Sequence, residues 1–522
     1  LLRRVMFAPT VADVNYFTGK SVATVVDELL NPAPSSLTPP PPLRNYVTEV
    51  DTKVPSRDVA YGTTWINSRI SPDTSVTNDS LIRSTILNFQ RFGYKNWWVG
   101  LMLNQDRSVL EKMVLFWHNH FSTETDVVSD PISLYNHNQL LRENSLGNYL
   151  TFVKKITIDP TMLFYLNNRL NTKTAPDENY ARELQELFTV GHGSGYTEDD
   201  VKAAARVLTG HSLGANLLYN FNSTAHDTGN KQFSAYYNNT VITGKSAVAG
   251  ANELDEMLSM IFTKDDAALY LVRKLYRFFV YYTIDATTET NVIVPLANLF
   301  KSGGWQIKPV LKKLFESEHF YDVVSQGCNI KNPIDFVVSA IRMLDCTYST
   351  TPTVEQLYNI WNSIRTQMSL MQMDPGDPPS VAGWQAYYQT PQYYEMWINS
   401  DTYQKRTSFL DTLQNAGFSS QGVGIKTDIL TFVANNVSDP SDPNKIVSEM
   451  ADLMLGLSIS PAHINTIKKD HLLTGQTTDA YWTTAWTAYI SNPTNTTNKN
   501  TVLNRLKTML NYLLKLEEYQ LS

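Results

Sequence analysis

Apolar residues recur three and four positions apart through most of this chain, a spacing that leaves little room for any architecture but packed helices. SVATVVDELL (21–30), ENYARELQELFTV (178–190), EDDVKAAARVL (198–208), NELDEMLSMIF (252–262), DDAALYLVRKLYRFFVYY (265–282) and VLNRLKTMLNYLLKL (502–516) all carry it. An all-α protein is therefore expected: a multi-helix globule with a small β-hairpin insertion and long structured loops. Breaks in the pattern mark the connections. NPAPSSLTPPPPL (31–43) lacks amide donors at its prolines and reads as a rigid surface arm. Alternating aromatic and polar residues between 219 and 245 suggest a short hairpin. MDPGDPPSVAGWQAYYQTP (373–391) reads as a long structured loop and SNPTNTTNKN (491–500) as a solvated one. The expected organisation is a main helical domain over 1–400, bearing the arm and the insertion, and a C-terminal helical region over 401–522 on the same core.

Helix ends are best marked in the centre. Asp177 supplies a capping oxygen after Pro176, and Gly191 fits the left-handed residue that closes a helix. Thr197 with Asp200 three residues on resembles a capping box.

A chain of 522 residues, 42% hydrophobic, can bury a large core. With 43 basic and 50 acidic residues evenly spread, its net charge of −7 gives no electrostatic footprint for nucleic acid or an anionic membrane. No apolar run is long enough for a transmembrane segment, LYRFFVYY (275–282) being too short. The two cysteines, Cys328 and Cys346, are too few for a disulfide framework or a cysteine zinc site, and are read as one bridge or two free thiols. The sequence begins inside a helix pattern without an initiator Met, as expected if an upstream segment is removed. A surface rich in Asn, Thr, Ser and Tyr with 18% charged residues suggests export to the periplasm, cell surface or medium.

The chemistry-bearing residues cluster in three stretches. LFWHNHFST (115–123) sets His118 and His120 among aromatics. An i, i+2 pair cannot face one way while a helix persists, so a shared centre requires the helix to fray at STETD (122–126). In ENYARELQELFTVG, the residues Asn179, Glu183, Glu186 and Val190 share one edge of the buried face. Two carboxylates there repel each other and rise in pKa unless Arg182, Arg206, Lys231 or a divalent ion compensates them. In AHDTGNK, His226 is read either as a third ligand from a loop or as an exposed residue. Asp227 is read as a general base with its neighbour or as the builder of a turn. The letters H-N-H do not make a nuclease, because three contiguous residues on a helix end cannot form a ββα unit. No G-x-S-x-G, P-loop or dinucleotide fingerprint is present, so no nucleotide cofactor is expected.

FWHNHF (116–121), ENYARELQELFTVG (178–191), YTEDDVKAAARVLTG (196–210), HDTGNK (226–231), RKLYRFFV (273–280), PPSVAGW (378–384) and EEYQLS (517–522) together resemble the DUF1800 family in order and approximate spacing. The resemblance implies an exported bacterial protein without an established activity, often accompanied by a DUF1501 protein. It maps recurrent polar positions onto His118, Asn119, His120, Asn179, Arg182, Glu183, Glu186, Arg206, His226, Asp227 and Lys231. Two departures stand out: similar sequences often read ELHT where this chain has Phe188, and TGW where it has His211. His211 could replace the missing histidine only if the fold brings positions 188 and 211 together.

Two functions fit. In one, His118, His120, Glu183 and His226 hold a divalent ion (Zn, Mn, Fe or Ca). Glu186 and Asp227 then act as bases and Arg182 or Lys231 stabilises an oxyanion, making a metal-dependent hydrolase or other enzyme acting on an extracellular polymer. In the other, the same residues form a buried polar network in a surface or assembly protein. Its 28 Tyr and 10 Trp would then meet envelope or extracellular proteins, a DUF1501 protein among them, or glycans. Phe188 spoils the fullest metal set and favours the second.

Overall fold

The computed structural model describes residues 1–47, 58–384 and 393–522. Helices dominate, and among the described residues strands form only two two-stranded ladders and one three-stranded sheet. The elements used below are α1 (Asp79–Leu103), α2 (Leu110–His120), α3 (Pro131–Asn144), α4 (Tyr149–Thr157), α5 (Asn179–Glu186), α6 (Glu198–Val207), α7 (Glu253–Ile261), α8 (Asp265–Phe279), α9 (Pro333–Met343) and α10 (Val354–Leu370). One apolar cluster runs from Val5 to Tyr519, and the C-terminal helices Ser400–Gln414 and Thr496–Lys515 contribute to it.

Every residue of α2 is buried. A helix without a solvent face must be packed on all sides, and α2 accordingly carries five polar or charged residues that cannot reach water: Glu111, Lys112, His118, Asn119 and His120. Burying such groups costs free energy unless each finds a partner. Glu111 meets Arg142 of α3, and Lys112 lies 2.5 Å from Asp335 of α9.

The helices expected at 21–30 and 265–282 span Val22–Leu29 and Asp265–Phe279. Thr497 and Asn500 lie inside a helix rather than a loop, because Asn495 caps Thr496–Lys515 by accepting from the Asn498 amide at 3.1 Å. The Pro-rich arm forms one helical turn, Pro34–Leu37, and is strapped to the surface. Trp97 Nε1 donates to Pro40 O (2.8 Å) and Gln139 Nε2 to Leu37 O (2.6 Å). The hairpin expected over 219–245 is present, and a second ladder that begins upstream of it precedes it. β1 (His211–Leu213) pairs with β2 (Tyr219–Phe221), and β3 (Lys231–Gln232) with β4 (Val241–Ile242). Asn222 to Asn230 turns between them, too polar to continue either ladder. The loop expected at 373–391 is irregular to Trp384, and its remainder lies outside the described residues. Cys328 and Cys346 are free thiols rather than a bridge. No helix among the described residues is long and apolar enough to cross a membrane.

Candidate functional site

The three polar residues at the end of α2 diverge. The helix continues through His120, with Phe121 as its cap, so the i, i+2 geometry holds and the two imidazoles point into different surroundings. Fraying at 122–126 comes too late to turn them together.

His118 stands between Trp98 at 5.1 Å (edge-on) and Trp384 at 5.6 Å. Neither of its ring nitrogens has a hydrogen-bond partner among the described residues. Burial, with His137 nearby, pushes its pKa down to about 3, so the ring is neutral. On the neighbouring helix, His137 Nδ1 lies 2.9 Å from Asp159 Oδ2.

Asn119 anchors a loop. Its Oδ1 accepts from the Trp384 amide at 2.6 Å. The approach requires Gly383, whose φ of +86° is left-handed and where a Cβ would overlap both Asn119 Oδ1 and Asn119 O. Farther along the same loop, Asp377 Oδ1 accepts from Thr125 N and Oγ1, each at 2.7 Å. Lys95 donates to both Asp374 and Asp377. Burial raises the Asp377 carboxyl, but Lys95 and Thr125 more than offset this and hold it below its ordinary value. Gly383→Ala is expected to cost about 1–3 kcal/mol through overpacking and to speed proteolysis within 374–384. Unchanged stability and cleavage would mean that the loop relaxes freely.

His120 belongs to a directed hydrogen-bond chain. Tyr149 OH donates to Phe188 O, so its oxygen accepts from His120 Nε2 at 2.8 Å. His120 Nδ1 is then the acceptor for Lys274 Nζ, also at 2.8 Å. Burial, followed by Lys274, holds the imidazole pKa well below its usual value. Lys274 in turn is pushed down to about 7 by burial and by Arg277. Neither Lys274 nor Tyr149 was singled out from the sequence, although a signal existed. Lys274 lies on the buried stripe of α8 with Leu271 and Leu275, where an unpartnered ammonium is not tolerated.

The acidic edge of α5 forms as its spacing predicts, but its compensators differ. Asp177 Oδ1 accepts from Asn179 N at 2.9 Å, and Asn179 Nδ2 donates to Leu166 O at 3.2 Å. The helix ends at Glu186, and a wide turn carries the Gly191 amide back to Gln185 O with φ +90° at Gly191. Arg182 pairs with Glu198 and Glu178, Arg206 with Asp227, and Lys231 with Glu253; among the described residues none of the three forms an ion pair with Glu183 or Glu186, although the Arg182 charge is felt by both. Glu186 is held by His192 (3.1 Å) and Tyr196 OH (3.3 Å). The half-buried Glu183 carboxyl has no hydrogen bond or ion pair among the described residues, and burial plus the Glu186 charge raise it to about 7.

His226, Asp227 and Lys231 fix the insertion to the helices. Glu253 of α7, fully buried, accepts from Lys231 Nζ (2.5 Å) and the Lys245 amide (2.6 Å) and lies 3.1 Å from His226 Nε2. His226 Nδ1 donates to Thr209 O at 2.8 Å, so both of its ring nitrogens face acceptors. Burial raises the Glu253 carboxyl, yet the donors from His226 and Lys231 outweigh it and hold the pKa below normal. Asp227 makes a two-point pair with Arg206 (2.8 and 3.1 Å). The expected capping box is present, and Asp200 also accepts from Ser234 N and Oγ of the insertion.

His226 therefore joins neither His118 nor His120, and Glu183 joins none of the three. Among the described residues no three His, Cys, Asp or Glu side chains are grouped to hold a metal ion. The donor chemistry agrees, because both nitrogens of His120 and of His226 are already engaged. Position 188 does not gain a substitute ligand either. Phe188 packs on His120, Phe121 and Tyr180, whereas His211 lies 2.9 Å from Tyr219 OH and stacks on the same ring.

The fold and these networks define a mainly helical protein organised around a buried helix whose polar residues are tied into separate internal clusters. A family model described as a protein of unknown function, DUF1800, matches residues 1–521, and the chain belongs to that family. No curated protein and no solved structure matches it.

Proposed function

We propose that this chain is an exported, non-enzymatic surface or assembly protein. It acts at the periplasmic face, cell surface or exterior, and its partners are envelope proteins, including a DUF1501 protein, or glycans. The observation that supports this reading is the dispersal of the polar residues. The groups that would have to share an ion are distributed among a Lys274–His120–Tyr149 chain, a His226–Glu253–Lys231 cluster and an Asn119 loop anchor. Networks of this kind rigidify a core. Elemental analysis of the purified chain, with pull-downs from the native envelope, tests the proposal. Substoichiometric metal and recovery of a defined envelope partner support it. One tightly held divalent ion per chain, lost in His120→Ala and Glu183→Ala, defeats it in favour of the hydrolase.

One feature favours the enzymatic alternative: Glu183, without an ion pair among the described residues and raised to about 7, holds a proton near neutrality as a general acid would. The same shift has a stability consequence. Between about 4.5 and 7 the folded state binds more protons than the unfolded one, so stability falls as pH rises through that window. Glu183→Gln is expected to be neutral at pH 4 and stabilising by about 1–2 kcal/mol at pH 8, after allowing for solvent screening. Denaturation midpoints at the two pH values check this. A variant that is less stable at pH 8 would show that the carboxylate is compensated.

A further inference from the structure

Away from the α2 knot, a cavity of 480 Å³ lies between α1 and α10. The two helices touch where a Cβ on Gly100 would come within 2.6 Å of the Trp361 ring, and the cavity runs along the preceding turns of α1. Phe89, Phe92, Gly93 and Asn96 line it from α1, spaced as one helix face. Glu355, Asn359 and Asn362 line it from α10 with the same periodicity.

We propose that this groove binds a neutral oligosaccharide. One wall is aromatic and open: Phe89 is 40% and Phe92 43% exposed, unusual for phenyl rings in a chain with this much core. Phe89 is stacked on Tyr46 at 4.5 Å and 19°, and Tyr46 OH is tied to Asp58 Oδ2 at 2.5 Å, so the platform is rigid. The apolar face of a pyranose ring packs on such a surface.

The polar groups are neutral and aimed. Arg365 donates Nε to Asn96 Oδ1 and one terminal nitrogen to Asn362 Oδ1, each at 3.0 Å. Fixing both oxygens leaves the two Nδ2 groups, which have no acceptor among the described residues, as donors. Asn359 Oδ1 is likewise an acceptor without a donor. Asn45 Oδ1, buried beside Gly93, is also unsatisfied, which costs free energy until a donor reaches it. Alternating donors and acceptors suit hydroxyls, which are both.

Charge excludes other ligands. Among the described lining residues the one cation is Arg365, and its guanidinium is spent on Asp374, at 2.9 Å to both oxygens, which disfavours phosphate or an acidic sugar. Glu355 has no cation partner among the described residues and would repel anions.

The inference rests on the surface-protein reading for where the ligand is met. Its test is calorimetric titration of the full chain with maltotriose, cellotriose, chitotriose and mannotriose at millimolar concentration. At least one is expected to bind, with affinity reduced about tenfold or more in Phe89→Ala/Phe92→Ala and in Asn362→Ala. Melting curves check that the double variant remains folded, so that its loss of affinity reports the groove. No binding of any of the four, or binding that survives both variants, overturns the proposal. Failure here with an envelope protein still recovered leaves the surface reading intact. Sugar binding without any protein partner supports the groove and points the surface role to glycans.

Discussion

Replacing Lys231 with methionine is expected to destabilise the protein by about 3–5 kcal/mol, since it strands a carboxylate that no water can reach. Lys231 and Glu253 side chains are both fully buried, and among the described residues Lys231 is the lysine that pairs with that carboxylate. The pair is also the join between the β3–β4 ladder and α7, so the damage should be local first. Amide exchange should accelerate over 209–253 before the remainder of the chain responds. Adding Glu253→Gln to Lys231→Met is expected to recover part of the loss, because a neutral amide needs no counter-charge. A loss below about 1 kcal/mol is the size of an exposed pair and would mean that solvent enters the cluster.

The helices were legible because amphipathic spacing is local. Thr197 and Asp200 formed their capping box, and Gly191 took the left-handed position that its place after ELFTV demands. The site was legible only by residue type. His118, His120, Glu183 and His226 were marked as groups that do not sit in apolar surroundings without a reason, and three of the four are buried. Their partners were not legible: Tyr149, Lys274 and Glu253 come from segments 27 to 154 residues away, and no local pattern encodes that pairing. Two side chains at i and i+2 of a persisting helix point apart. His118 and His120 diverge because α2, buried on every side and stabilised by packing, has no reason to fray before its last residue.

Lys274 carries a large pH-dependent effect. Its folded pKa of about 7 lies below the ordinary 10.5, so between those values the unfolded state binds the extra proton and stability rises with pH. Among the described residues that act on it are His120 from α2 and Tyr270 and Arg277 from its own helix. Burial and the Arg277 charge both work against the ammonium, and His120 is itself held neutral. Lys274→Met removes the titrating group while keeping most of its volume. The stability difference between parent and variant should therefore shift in favour of the parent by about 3–5 kcal/mol from pH 6 to pH 10. At pH 6 the variant loses the hydrogen bond to His120 Nδ1 but escapes the buried charge, so it should be the more stable of the two. At pH 10 only the lost hydrogen bond remains, and the order should reverse. Urea midpoints at both pH values decide the matter, and a difference that does not change with pH would place a counter-charge on Lys274 and restore its ordinary titration.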